Sequence, residues 1–212
     1  LDSRAGDKQA LVDFYNAMDG PNWDNNTGWD GNAMDLSQSI FGVEVATIDG
    51  ELRVVKMNLS GGSTQTNNSN IIGNGLRGNA IPDSFGNLKQ LRELRLKGND
   101  ITARIDNWIQ NTVNIELLSL SGSTGYGGQD ELDIDDRSRY NHPSKNNNSY
   151  NKWTGEIPDD LSMLTNLVLF EAMNSSFTGS LPTQLPSSIK ALFLSNNKMT
   201  GQLPAWSNAV NM

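Results

Sequence analysis

The sequence predicts an α/β solenoid: a right-handed coil of about five repeats with one parallel sheet on its concave face, closed at the N-terminal end by a helix and a hairpin. Three observations predict it. One apolar template recurs along the chain in the same spacing, the joints between its copies keep their phase, and the opening segment follows a helical period instead. The expected division is a cap over 1–51 and a repeat array over 52–212, with insertions near 61–73 and 122–150.

The cap comes first. Leu11, Phe14, Tyr15 and Met18 recur at i, i+3, i+4 and i+7, one face of a helix, with Asp7 the expected N-cap and Gly20-Pro21 the stop. Trp23 and Trp29 are then placed to cover the end of the core. Val43 and Val45, the pair Asp49-Gly50, and Leu52 and Val54 read as a hairpin leading into the first repeat, because Asp-Gly accepts the positive φ angles of a tight turn.

The clearest copy of the template is Ile189, Leu192, Leu194, Asn197, Met199, Gly201, Leu203-Pro204. Leu167, Phe170, Ala172, Ser175, Phe177, Gly179, Leu181-Pro182 repeat the spacing with Ser at the Asn position. Leu91, Leu94, Leu96, Asn99, Ile101, Ala103 and Ile105 make a third copy. Two more are interrupted: Val54, Met57 and Leu59 resume at Asn74, and Ile115, Leu118 and Leu120 resume at Asn151. From the Ile of the Ile-Pro position to the next copy the step is 10 at 81 to 91, 105 to 115 and 157 to 167, then 8 at 181 to 189. Unrelated apolar residues would not hold that phase.

Alternating positions such as 192 and 194 point the same way from a short strand and bury together. The Asn side chain, both donor and acceptor, satisfies backbone groups where the chain leaves the strand, and Gly and Pro set the outer turn. No copy buries its apolar side alone, so the copies stack.

This pattern resembles the leucine-rich repeat family, in the subclass with the L-x-x-L-x-L-x-x-N-x-L-x-G-x-I-P spacing known from plant receptors and many bacterial surface proteins, over residues 52 to 204. The resemblance implies a solenoid that binds other molecules on its concave face, and no particular activity. The opening segment is similar to the N-terminal cap of that subclass, whose plant members usually carry a cysteine pair. This chain has no cysteine, which turns the expected source toward bacteria.

Strand residues between the buried positions face the concave side. In order they are Val55, Lys56, Asn58 and Ser60; Arg92, Glu93, Arg95 and Lys97; Glu116, Leu117, Ser119 and Ser121; Val168, Leu169, Glu171 and Met173; Lys190, Ala191, Phe193 and Ser195. The second strand is basic, while Leu117, Leu169, Met173 and Phe193 put apolar groups on a surface expected to be wet, the signature of an interaction patch. A protein-binding surface is therefore expected at Arg92, Arg95, Lys97, Leu117, Leu169, Glu171, Met173 and Phe193, with Leu169 and Phe193 as anchors and Arg95 as rim charge. Tyr126, Tyr140 and Tyr150, set among Asn, Ser and charges in the long insertion, support the alternative of a carbohydrate-binding module.

Catalysis has little to draw on. His142 is the only histidine and has no triad neighbours. Asp130, Glu131, Asp133, Asp135 and Asp136 bring carboxylates together. Asp133-x-Asp135 leaves weak calcium binding open, but the Gly and Glu of an EF-hand loop are missing. Gly73-x-Gly75-x-x-Gly78 matches a dinucleotide fingerprint only formally, since Gly78 belongs to the repeat and no helix pattern follows. No enzyme, cofactor or resident metal is expected.

Sixteen Lys and Arg against 24 Asp and Glu give a net charge of −8, a field that repels nucleic acid. No apolar run approaches the roughly 20 residues of a membrane span. The opening Leu1-Asp2-Ser3 in place of methionine, together with the family resemblance, leads to the expectation of an exported, surface-associated or secreted protein of adhesive or scaffolding role. Five sequons, at Asn25, Asn58, Asn67, Asn147 and Asn174, are what chance places in a chain this rich in Asn. After Leu203 the next strand would fall at 213. Three readings stay open there: further repeats, a cover made by Trp206, Val210 and Met212, or an edge that pairs with another chain.

Overall fold

The computed structural model describes residues 2–60, 74–105, 107–122 and 151–206. Tyr126, Tyr140, Tyr150, Asp133, Asp135 and His142 lie outside them, as do Val210 and Met212.

Helix α1, Arg4–Ala17, buries Ala10, Leu11, Phe14 and Tyr15 on one face. Its N-cap is Ser3, whose side chain accepts from the Gly6 amide, so the expectation of Asp7 as cap is corrected. Asp7 lies one turn inside the helix, fully buried, because it has another partner. Arg53 donates to it through Nε at 3.0 Å and Nη2 at 2.9 Å, and the Val54 amide donates at 2.8 Å. Arg53 Nη1 also reaches Asp2 at 2.7 Å. The bidentate pair fastens α1 to the start of the sheet.

Met18 ends the helix, Asp19 takes a left-handed φ of 60°, and a single 3-10 turn, Gly20–Asn22, follows with Pro21 near its start. From here a chain of ring contacts runs inward. Tyr15 stacks on Trp29 at 6.0 Å, Trp29 meets Trp23 edge-on at 5.0 Å, Phe14 meets Phe85 at 5.2 Å, and Phe85 meets Trp108 at 5.3 Å. Each such pair is worth about 0.5–1.5 kcal/mol beyond its buried area. The series carries one continuous core from the cap into the array.

Strands β1 (Val43–Ile48) and β2 (Glu51–Asn58) form the hairpin, with Asp49 and Gly50 at φ 50° and 80° in the turn. The far end of β2 then turns parallel. Strands β3 (Arg77–Gly78), β4 (Glu93–Arg95), β5 (Asp100–Ile101), β6 (Leu117–Ser119), β7 (Leu169–Glu171) and β8 (Ala191–Phe193) complete the set among the described residues. The main sheet has the order β1-β2-β4-β6-β7-β8, antiparallel only at its first pair. Helix α2, Asn107–Asn111, is a single short turn on the way from β5 to β6.

The register stacks equivalent template positions. Met57, Leu94, Leu118, Phe170 and Leu192 are aligned neighbours on the core side. The first four are buried, while Leu192 is only partly covered, at the last strand of the sheet among the described residues. Trp206 packs against this end and donates Nε1 to the Pro182 carbonyl at 2.7 Å.

The asparagines link successive copies. Asn99 accepts from the amides of Asn74 and Leu76 at 2.9 and 3.1 Å and donates to the carbonyls of Leu59 and Leu96. Asn151 accepts from Ile101 and donates to Leu96 and Leu120. Asn197 accepts from Phe177 and donates to Ala172 and Leu194. Ser175 is too short for this, and its hydroxyl reaches only the Met173 carbonyl, at 3.5 Å.

A second, two-stranded sheet lies outside the first: β3 pairs with β5 in parallel, and isolated bridges join Arg104 to Thr154, Glu156 to Thr178 and Asp160 to Gln184. Gly78, paired with Ile101, has no room for a side chain, since a Cβ there would come within 2.6 Å of the Ala17 carbonyl and 2.7 Å of Met18. It is a packing glycine, in keeping with its reading as part of the repeat.

Candidate functional site

Two surfaces of the array repeat a row of side chains from copy to copy. The main sheet's outer rows are set by its register. One row is Lys56, Glu93, Leu117, Leu169, Ala191; the next is Asn58, Arg95, Ser119, Glu171, Phe193.

At the N-terminal end these rows carry paired charge. Lys56 Nζ lies 3.0 Å from Glu93 Oε1, the same oxygen to which Arg95 Nε donates. Arg92, just before β4, is exposed, and its backbone is held by bonds to Val55, Glu116 and Leu117. Lys97 Nζ lies 3.7 Å from Glu171 Oε1, and Ser119 donates its hydroxyl to Glu171 Oε2 at 2.8 Å. Glu171 is thus a buried carboxylate held by a hydroxyl and an ammonium, as a buried charge must be.

The middle of the face departs from expectation. Leu117, Leu169 and Met173 were expected to stand in water, yet they are 8%, 6% and 4% exposed, and Ser119 and Ser121 are fully buried. Lateral stacking accounts for part of this. Leu117 and Leu169 are aligned neighbours at a strand spacing of about 4.8 Å, so each aliphatic side chain shields the next. The anchor expected at Leu169 is therefore part of a packed floor. Phe193, at the last strand, is only partly buried.

Of the eight expected binding residues, the sheet places Glu171, Leu117 and Leu169 in β6 and β7, Arg95 in β4 and Phe193 in β8. Arg92, Lys97 and Met173 flank strand ends. The buried pairing of Ser119 with Glu171 was missed. The in-register alignment of a hydroxyl and a carboxylate in neighbouring copies was the available signal.

The second surface is the outer strand. Thr102, Thr154, Thr178 and Thr200 occupy one repeat position, and each amide donates to the preceding copy at 2.8, 3.0, 2.8 and 2.8 Å. Asp100, Lys152, Lys198, Arg104 and Glu156 flank this row. Among the described residues no three His, Asp or Glu stand together to hold a metal, and no helix is long and apolar enough to cross a membrane.

No protein-family model and no curated protein sequence matches the chain. Solved structures match its fold. The BIR3–SERK2 complex from Arabidopsis thaliana contains a chain similar at TM-score 0.63 and 20% identity, over 92% of this chain and 84% of that one. The leucine-rich repeat ectodomain of the receptor kinase SOBIR1 from the same plant is similar at 0.59 and 19%, over 96% and 86%. A plant ice-binding protein is similar at 0.62 and 20%, over 96% of this chain and 52% of its own, so the chain spans about half the length of that protein. The fold is that of a leucine-rich repeat solenoid.

Proposed function

We propose that the chain is a non-enzymatic protein-binding module, exported and surface-associated or secreted, that takes its partner on the concave face of the sheet. The observation that carries this is the composition of that face: fixed charges at Lys56, Arg95 and Lys97 with exposed Arg92 beside them, a packed apolar floor at Leu117, Leu169 and Met173, and Phe193 at the far edge. Charges already held in place lose little freedom on binding and select a complementary partner. The ectodomain of the plant receptor kinase SOBIR1 and a chain of the BIR3–SERK2 complex share the fold, which supports the same use here.

The test is a screen of the purified chain against extracellular proteins and polysaccharides, beside an Arg92→Glu/Phe193→Asp variant. A protein hit lost in the variant supports the reading. A protein hit indifferent to it, or binding to polysaccharides alone, defeats it.

A second reading rests on the threonine row of the outer strand, a regular array of hydroxyls of the kind that can face a repeating lattice, on a fold shared with a plant ice-binding protein. The charged rows on both sides place it behind the first. Thermal hysteresis lost on Thr154→Lys/Thr178→Lys would promote it.

A further inference from the structure

We infer that the occupant of the concave face is an acidic, extended segment of a partner protein, laid across the strands from Lys56 toward Phe193. The inference rests on the protein-binding reading and names the chemistry of the partner.

Charge is the first argument. The whole chain carries −8, yet along the five strands from β2 to β8 the face sets five cations, Lys56, Arg92, Arg95, Lys97 and Lys190, against the three carboxylates Glu93, Glu116 and Glu171, an excess of two positive charges. An acidic chain that concentrates cations on one face attracts an anionic partner there and repels it elsewhere. Placement is the second. Glu93 holds Lys56 and Arg95, and Glu171 holds Lys97, so these cations stand in defined positions, while Arg92 is exposed beside them. Shape is the third. The four gaps from β2 to β8 cover about 19 Å at about 4.8 Å each, which an extended segment of about six residues spans at roughly 3.3 Å per residue.

The same layout favours a peptide over a sulfated polysaccharide. A uniform polyanion would have to lie on Glu93 and then on the row Leu117, Leu169, Ala191, which offers it no cation. A peptide can alternate acidic and apolar side chains to match, ending against Phe193.

The test uses the full chain and fluorescein-labelled peptides of about eight residues, alternating Asp with Ser, Asn with Ser, or Lys with Ser, with heparin as a further arm, read by fluorescence anisotropy. The Asp peptide is expected to bind, to weaken as salt rises from roughly 0.05 to 0.3 M, and to lose about tenfold or more on Arg92→Glu. Arg92→Ala, milder at this exposed position, is expected to show a smaller loss in the same direction. Lys152→Glu/Lys198→Glu on the outer strand is expected to stay within about twofold. Equal losses from both faces, binding of heparin without the Asp peptide, or no preference among the peptides each overturn the acidic occupant. If the peptides fail while a protein from the screen still depends on Phe193→Asp, the acidic segment is wrong and protein binding stands. If that protein ignores Phe193→Asp and Arg92→Glu alike, the underlying reading falls with it.

Discussion

Replacing Asn99 by Leu keeps the volume and removes every hydrogen bond the side chain makes between neighbouring copies. Asn99 is 1% exposed, so water cannot take over its role. Two amides, those of Asn74 and Leu76, lose their acceptor, and the carbonyls of Leu59 and Leu96 lose a donor. A buried amide left without a partner costs about 1–3 kcal/mol, so the two amides alone put the loss at about 4 kcal/mol. For a chain of this size each kcal/mol moves the melting midpoint by roughly 2–4 °C, giving a fall of roughly 8–16 °C by circular dichroism. Asn166→Ala is the matched control, an exposed amide bonded only to Asn114 at 3.3 Å, with an expected change within about 0.5 kcal/mol. A loss below about 1 kcal/mol for Asn99→Leu would refute the claim that the asparagines hold the copies together.

Other perturbations follow from the same geometry. Ser175→Asn supplies the acceptor that Leu76, Ile101 and Phe177 find in the next copy, here for the equivalent Trp153 amide, and is expected to gain about 1 kcal/mol in urea denaturation. Asp7→Asn leaves buried Arg53 with the exposed Asp2 as its remaining carboxylate. The expected loss is about 3 kcal/mol, partly recovered in Asp7→Asn/Arg53→Met, and an unchanged midpoint would count against the clamp. Asp2 is held below the ordinary carboxylate range, first by its hydrogen bond from Arg53 and then by the charge of that guanidinium. A depressed pKa gives stability that is present above the unfolded value of about 3.9 and is lost as pH falls through the folded one. Acid titration of Asp2→Asn should therefore show less loss of stability below about pH 4 than the parent, with the two converging in acid.

The array was legible because its signal is periodic. Leu94, Leu118, Phe170 and Leu192 were assigned to one side of the strand by spacing alone, and the sheet places them in register. What escaped was non-periodic. Asp7 has the residue type of a helix cap, and nothing in the spacing announces an arginine 46 positions away that draws it into the core, leaving the cap to Ser3. The outer sheet escaped because two-residue strands such as β3 and β5 are too short for a period to show. Exposure failed for a related reason. Alternation tells which face Leu117, Leu169 and Met173 occupy and says nothing about how closely neighbours on that face cover one another. In the charged half Arg92 is exposed, whereas Arg95 and Lys97 keep only 12% and 21% of their side-chain surface in water, drawn in by Glu93 and Glu171, pairings that alternation does not announce either.

The most direct test of the account is where a bound protein sits. A photo-cross-linking amino acid placed at Arg92 on the concave face, and in a second protein at Thr178 on the outer strand, reports contact without assuming any energy. The account predicts that a partner from the screen cross-links through position 92 and not through 178. Cross-linking from 178 with silence at 92 would contradict it and move the binding surface to the outer strand.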